Sequence, residues 1–397
     1  MKISIPEFCQ KYYIDRQHTD CLKWDSLQQY FGNPDLLPMW VADMDFQTPE
    51  AVRQALSSRI NHGVFGYTEV SDSYYQTVSD WHQKHFGYQP EKDWFRFSPG
   101  VVPSLYWVVQ AFTKPQDPVL ILSPVYFPFY DAVIDSDRRL ISSDLVHDHN
   151  GFYQMDLNDI EDKIKKYQIK LLIQCSPHNP VGRVWTESEL EQLFALCQRY
   201  GVIIASDEIH QDIMIDQQHF ISATTVAGGK YRDRLIILNS ASKTFNLAGL
   251  GLSHVFIADP QLRRQYDQTT KVLSHAAPNI LGMLATQTAY EQGGDWHNAL
   301  LAVISHNYHV FRDILNSSLP ELVISPLQGT YLAWVDMRRY IQPQALKHFF
   351  EQECRLAVHY GDTFGQNGSG FARFNLATHP DFIVQACQRM QMAINNR

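Results

Sequence analysis

The sequence holds six cysteines, and no two of them make a CxxC pair or a zinc-like spacing. A soluble cytoplasmic protein with reduced thiols is the default expectation. No apolar run approaches the roughly 18–20 residues that a membrane-spanning helix needs, and Met1 to Tyr13 lack the apolar core of a secretory signal. Positive charge is in deficit: 33 Lys and Arg stand against 42 Asp and Glu, a formal charge of −9. That balance leaves no electrostatic footprint for nucleic acid or an anionic membrane surface, so any anionic ligand must be held by a local site. Low-complexity tracts, Gly/Ser linkers and fixed-period repeats are also missing.

Short apolar runs alternate with longer amphipathic ones. Buried strands are predicted at 119–122, 170–174, 202–205, 235–238 and 254–257, each a near-continuous hydrophobic run of the kind found where both sheet faces are covered. Helices are predicted at 103–112, opening on a proline, at 186–200, where Thr186 and Glu189 spell a capping box, and at 260–274. This alternation implies an α/β fold with a mostly parallel sheet between about residues 50 and 290. After about residue 295 a long helical stretch leads to strands predicted at 322–325, 331–335, 356–359 and 371–375, the texture of a smaller α+β unit. The opening segment, up to Asp45, is expected to pack beside it.

Ligands in an open α/β sheet sit outside the carboxyl ends of the strands. Reading just past each strand collects Ser98-Pro-Gly-Val-Val102, Ser123-Pro-Val-Tyr126, the Cys175-to-Pro180 turn with Asn179, Ser206-Asp-Glu-Ile-His210, and Asn239-Ser-Ala-Ser-Lys243. Backbone N–H groups at Gly100, Val101 and Val102 open a helix, a ready anion site, and Ser240 and Ser242 add hydroxyls. Asp207 can hold a protonated ring nitrogen, Asn179 can donate to a phenolate oxygen, Tyr126 supplies an aromatic face and Lys243 an amine. An anion cradle, a carboxylate, a stacking ring and a lysine together describe a pyridoxal 5′-phosphate site. Taken singly, Asn-Pro reads as a turn, Asp-Glu as a cap and Tyr126 as core; the order and spacing of the set carry the inference. His82 with His85, or His147 with His149, could pass for metal pairs, but no third ligand stands near either, and all four are expected at the surface.

On these residues the chain resembles the fold type I pyridoxal-phosphate enzymes, the aspartate aminotransferase superfamily, over essentially its whole length. Within it the chain is similar to the MalY/PatB-type cystathionine β-lyases. The motifs are Met39-Trp-Val-Ala-Asp-Met-Asp-Phe46, Ser98-Pro-Gly-Val-Val102, Ser123-Pro-Val-Tyr-Phe-Pro-Phe129, Pro177-His-Asn-Pro-Val-Gly-Arg-Val-Trp185, Ser206-Asp-Glu-Ile-His210, Ser242-Lys-Thr-Phe-Asn246 and Gly329-Thr-Tyr-Leu-Ala-Trp334. The resemblance implies a large cofactor domain at 46–290 and a small domain from 1–45 with 291–397. It makes Lys243 the Schiff-base lysine and the general base, pairs Asp207 with the pyridine nitrogen, and puts Asn179 and His210 near the ring oxygen with Tyr126 on the ring face. Val101, Val102, Ser240 and Ser242 would surround the phosphate, and Tyr67 would reach the phosphate of a neighbouring subunit in a homodimer. Arg373, Ala42 and Asn179 would hold the substrate, with Arg373 on its α-carboxylate.

The aminotransferase pattern has a phosphate-binding arginine where this chain has Gly251. The lyase subgroup lacks that arginine too, so the resemblance favours α,β-elimination from an L-cysteine thioether such as cystathionine, giving homocysteine, pyruvate and ammonia. Tyr126 and Lys243 both qualify as proton donor to the leaving thiolate. Transamination on the same scaffold is the alternative. A non-catalytic regulator would be expected to carry a helix-turn-helix or a basic face, and the sequence contains neither.

Overall fold

Apolar runs too continuous to leave one face wet become the interior of a seven-stranded sheet. The structure, a computed structural model, describes residues 3–273 and 278–397. In chain order the strands are β1 (Phe95–Ser98), β2 (Pro118–Ser123), β3 (Arg139–Asp144), β4 (Leu171–Cys175), β5 (Ile203–Asp207), β6 (Leu235–Asn239) and β7 (Ser253–Phe256). Across the sheet they lie β1-β7-β6-β5-β4-β2-β3, with β7 antiparallel to both neighbours and the rest of the ladders parallel. Every residue of β2, β4 and β6 is buried, and helices such as Val101–Phe112 and Glu187–Tyr200 cover the faces. The Thr186 capping box forms: its hydroxyl accepts from Glu189 N at 3.2 Å, and the Glu189 carboxylate accepts from Thr186 N at 2.8 Å.

A second, four-stranded antiparallel sheet follows: β8 (Val323–Ile324), β9 (Leu332–Asp336), β10 (His359–Tyr360) and β11 (Phe371–Asn375), in spatial order β8-β9-β11-β10. The long helix Gly294–Ser318 and the helix Pro380–Asn395 pack on it, with Phe311 against Phe374 at 5.1 Å between ring centroids. The opening segment joins this region by a short parallel pairing of Leu37–Pro38 with Leu356–Ala357.

Several expectations are corrected. β1 and β3 were not foreseen, because both are sheet edges with part-exposed residues and no long apolar run. The strand predicted at 356–359 is two: Leu356–Ala357 pairs with the opening segment, and the chain changes partner at Val358 so that His359–Tyr360 pairs with β11. A buried apolar run has no period that shows where one partner gives way to another. The helix predicted from Pro103 starts at Val101, which still leaves Pro103 in the first turn, where its missing N–H goes unused. The helix predicted at 260–274 is found as Pro260–Val272; Ser274, like Met1 of the opening segment, lies outside the described residues. His82, expected at the surface, is fully buried and bonds Val78 O through Nδ1 at 2.8 Å. Among the described residues no helix is long and apolar enough to cross a membrane, and no group of three or more His, Cys, Asp or Glu is placed to hold a metal ion.

Candidate active site

Five strand ends and the start of antiparallel β7 meet at one edge of the large sheet, around a cavity of about 820 Å³, mouth included. Gly100, Val101 and Val102 contribute from beyond β1, Tyr126 from beyond β2 and Asn179 from beyond β4. Asp207 and His210 line it from the end of β5, Ser242 and Lys243 from beyond β6, and Ala42 from the opening segment. Pro103 and Cys175 also face it, and Pro99, Ile209, Ala248 and Leu252 complete the wall. Sequence reasoning did not single out these four, because each contributes only shape and apolar surface.

Lys243 sits on the short helix Ala241–Thr244. Its Nζ donates to Ala42 O at 2.5 Å. Burial pushes its pKa down to about 8, with Arg373 adding to the effect and Asp43 and Asp207 opposing it. Asp207 closes β5 opposite Cys175 and Leu238 of the flanking strands. Its Oδ1 accepts from Ile209 N at 3.1 Å, yet burial outweighs this bond and the Lys243 charge and raises its carboxyl to about 7.

Arg373 on β11 lies behind Asn179. Its Nη1 donates to Asn179 Oδ1 at 3.0 Å, which leaves the Asn179 amide NH₂ as the donor toward the cavity. The guanidinium is buried, stacks on Phe364 at 4.8 Å and has an Nε with no partner. The His210 ring meets Tyr331 edge-on at 5.7 Å, and its Nδ1 is buried and unpartnered. Burial, then the charges of Lys243 and Arg373, hold it well below the usual histidine pKa, so it stays neutral. Burial raises the Tyr126 pKa, keeping its hydroxyl proton in place as a donor.

Besides Arg373, which stands behind Asn179, two expected ligands lie outside the cavity lining. Ser240, read as a hydroxyl donor to an anion, is corrected: it caps the Lys243 helix, accepting from Ser242 N at 3.1 Å, and donates its hydrogen to Leu252 O at 2.6 Å. Tyr67 is fully exposed on the protomer, in a stretch where Ile60, Val64 and Phe65 are exposed as well. Trp40, Trp185, Tyr331 and Trp334 are buried in the core. Of these, Tyr331 bears on the site, donating to Ala42 O at 3.0 Å. Cys175 is a buried thiol pushed well above its usual pKa by burial.

The segment 39–46 is held across the cavity by its backbone oxygens, an arrangement the sequence concealed. Asn375 N donates to Met39 O at 2.8 Å, and Asn375 Nδ2 donates to Val41 O and Asp43 O at 2.5 and 2.6 Å. Arg373 Nη2 reaches Trp40 O at 3.1 Å. Asn246 Nδ2 donates to Met44 O and Phe46 O at 3.0 and 2.9 Å, while its Oδ1 accepts from Met44 N at 3.2 Å. Below, Lys23 and Asp45 form a fully buried pair at 2.6 Å, with Arg16 on Asp43 at 2.7 Å. This strap fixes the carbonyl that receives Lys243.

Comparison with known proteins gives one family and several close relatives. The model for aminotransferase class I and II matches residues 34–389. The chain is 34% identical to a Bacillus subtilis protein named cystathionine β-lyase PatB over 382 residues, 96% of this chain and 98% of the other. It is 33% identical to protein MalY of Escherichia coli over 365 residues, covering 91% and 92%. The solved pyridoxal-phosphate-bound C–S lyase of Staphylococcus hominis superposes with a TM-score of 0.90 at 33% identity, over 96% of each chain.

Proposed function

We propose, from the premise that the chain belongs to the aminotransferase class I and II family, that it is a pyridoxal-phosphate-dependent carbon–sulfur lyase. It cleaves L-cysteine thioethers such as cystathionine to a thiol, pyruvate and ammonia. One observation carries this reading. A buried amine shifted toward neutrality and a buried carboxylate that no cation bonds among the described residues line one cavity, and a buried arginine with a free Nε stands behind its Asn179 wall.

The residues fit the cofactor. Among the described residues Asp207 has no basic side chain at salt-bridge distance, and its carboxyl, raised to about 7, suits a ring N–H. The first amides of the helix Val101–Phe112 and the Ser242 hydroxyl form an anion cradle. Ser240 supports that cradle as a helix cap. Tyr126 offers a ring face, and Asn179 and His210 stand for the ring oxygen. When bound, the cofactor supplies an electron sink for the bond broken at substrate Cα.

The chain's own groups do the rest. Arg373 takes the α-carboxylate, and Ala42 and Asn179 position the amino-acid end. Lys243 Nζ, with its pKa near 8, is neutral in about a tenth of molecules at pH 7, far more than an ordinary lysine, and removes the Cα proton. The β C–S bond then breaks with its electron pair on sulfur. Tyr126 and Lys243 are the protonated groups in the cavity that can neutralise the thiolate, and water hydrolyses the remaining aminoacrylate. Elimination is favoured over amino transfer because the position that transaminases fill with an arginine is Gly251, whose backbone is left-handed at φ 56°.

Incubation of the purified holoenzyme with cystathionine, assaying free thiol and pyruvate, is expected to give both products in equal amounts. Keto-acid-dependent amino transfer without thiol release would overturn the lyase assignment. The working unit is a homodimer in which Tyr67 serves the partner's cofactor phosphate; the exposed apolar stretch containing Ile60, Val64, Phe65 and Tyr67 supports it. Sedimentation at the mass of a single 45.9 kDa chain would remove that element. The protein divides into a large cofactor unit, 46–290, and a small unit of 1–45 with 291–397. The cytoplasm is its compartment, in keeping with six buried, unpaired cysteines.

A further inference from the structure

Arg373 has five N–H groups and no acceptor, and the fates of its donors differ. Nη1 gives one hydrogen to Asn179 Oδ1 at 3.0 Å, and Nη2 reaches Trp40 O at 3.1 Å and His359 Nδ1 at 2.8 Å. Nε is buried without a partner. The contact with His359 is informative because a guanidinium can only donate. A hydrogen bond at 2.8 Å from the guanidinium needs a lone pair on Nδ1 and the ring hydrogen on Nε2. His359 Nδ1 also lies 2.9 Å from Trp40 O, a contact that needs the hydrogen on Nδ1 instead. The charge-assisted bond from the guanidinium is the stronger of the two and decides the tautomer, and Nη2 supplies Trp40 O. The Nη2 amino group therefore has two acceptors, one for each of its hydrogens.

We propose that His359 is a positioning residue for Arg373: its neutral Nδ1 and Trp40 O hold Nη2 and so fix the guanidinium plane, which leaves the unpartnered Nε–H for the substrate α-carboxylate. This rests on Arg373 being the carboxylate-binding group, as argued above. The surroundings keep the imidazole in the required state. His359 packs among the rings of Trp40, Phe127 and Phe364 at 5.8, 6.1 and 5.9 Å. That burial and the Arg373 charge hold its pKa down to about 3. The backbone adds precision, because His359 and Arg373 are directly paired residues of β10 and β11. Their side chains therefore leave the sheet on the same face. Without the histidine acceptor, a long side chain with several rotatable bonds would lose one of its anchors.

The test compares three holoenzyme variants in cystathionine cleavage. His359→Phe keeps a ring and removes the acceptor, and His359→Leu replaces it where the first does not fold. His359→Asn restores an acceptor oxygen near the position of Nδ1. The expected result is a KM about tenfold higher for His359→Phe, the size of a lost hydrogen bond to a charged group. Its kcat should stay within about twofold, and His359→Asn should recover most of the KM. For the α-carboxamide analogue of the substrate, which has no carboxylate for Arg373, the same substitution should leave KM unchanged. An unaltered KM in His359→Phe, an equal loss in His359→Asn, or a fall in kcat alone overturns the proposal. Arg373→Lys run in parallel separates the two levels. If it leaves KM for the acid unchanged, the carboxylate role of Arg373 fails; if it raises KM while His359→Phe does not, only the positioning role fails.

Discussion

Lys243→Ala is expected to lower kcat for thioether cleavage by at least about 10³-fold, the range associated with removing a positioned general base. The argument starts from where the amine is. Its Nζ has one hydrogen-bond partner, Ala42 O, and burial brings its pKa to about 8. A lysine at its ordinary pKa is almost wholly protonated at neutral pH and is a poor base. The downward shift gives this one a usable neutral form, and among the described residues no other amine lines the cavity. Substrate binding through Arg373 should survive, so the loss belongs in kcat, and the near-visible absorbance of the lysine-linked cofactor should vanish with it. Small exogenous amines should restore part of the activity, since they supply a base without the side chain. Turnover within about tenfold of the unsubstituted enzyme would remove Lys243 from the mechanism.

Acid is expected to unfold the protein well above the pH at which its surface carboxylates titrate. His82, His178, His210, His254 and His297 are all buried, at 0, 0, 2, 1 and 5% exposure. Burial holds them down, to about 4 for His82, His178 and His297, to about 3 for His254, and well below the usual value for His210. A base whose pKa is depressed by folding binds fewer protons in the native state than in the unfolded chain. Its contribution is intact above about pH 6.5 and is lost as pH falls toward the native value.

Asp207, Glu208 and Asp212 act in the opposite sense. Their carboxyls are raised by burial, the first two to about 7, so the native state takes up protons as pH falls from neutrality and gains relative to the unfolded chain. Over the interval from pH 7 to 5 each group with a stated value is worth about 2 kcal/mol. Five such histidines, His359 at about 3 included, stand against two such carboxyls, which leaves the histidines ahead by about 6 kcal/mol. His210 and Asp212 act in opposite directions. Against a typical total stability of about 5–15 kcal/mol that is a large fraction. Urea unfolding at the two pH values should show a clearly lower midpoint at pH 5; coincident midpoints would contradict the account.

The legible parts of the fold share a physical character. β2, β4, β5 and β6 stand out in the sequence because strands covered on both faces need unbroken apolar runs. Edge strands such as Arg139–Asp144 face solvent in part and merge with the loops around them. Lys243, Asp207, Asn179 and Tyr126 were visible because strand ends of one parallel sheet converge, so spacing along the chain becomes proximity in space. Asn246, Asn375 and His359 were not. Their partners are backbone oxygens or a side chain from distant segments, as with Asn375 and Val41 O across more than three hundred residues, and such contacts carry no local pattern. Ser240 was misread for the opposite reason. Its bonds are local, to Ser242 N and Leu252 O, and capping of that kind is a common use of serine at a helix start.

The backbone strap at 39–46 has a consequence for how the enzyme comes into being. Its anchors are drawn from Asn246 beyond the large sheet, from Tyr331 beside the second sheet, and from Arg373 and Asn375 within the second sheet. None of these is in place until its own region has folded. The strap therefore settles only on a finished scaffold, and Ala42 O reaches Lys243 as one of the closing events of maturation. Competence to turn over substrate is thus a report on the integrity of the whole chain, because the carbonyl that receives Lys243 is anchored from both sheets.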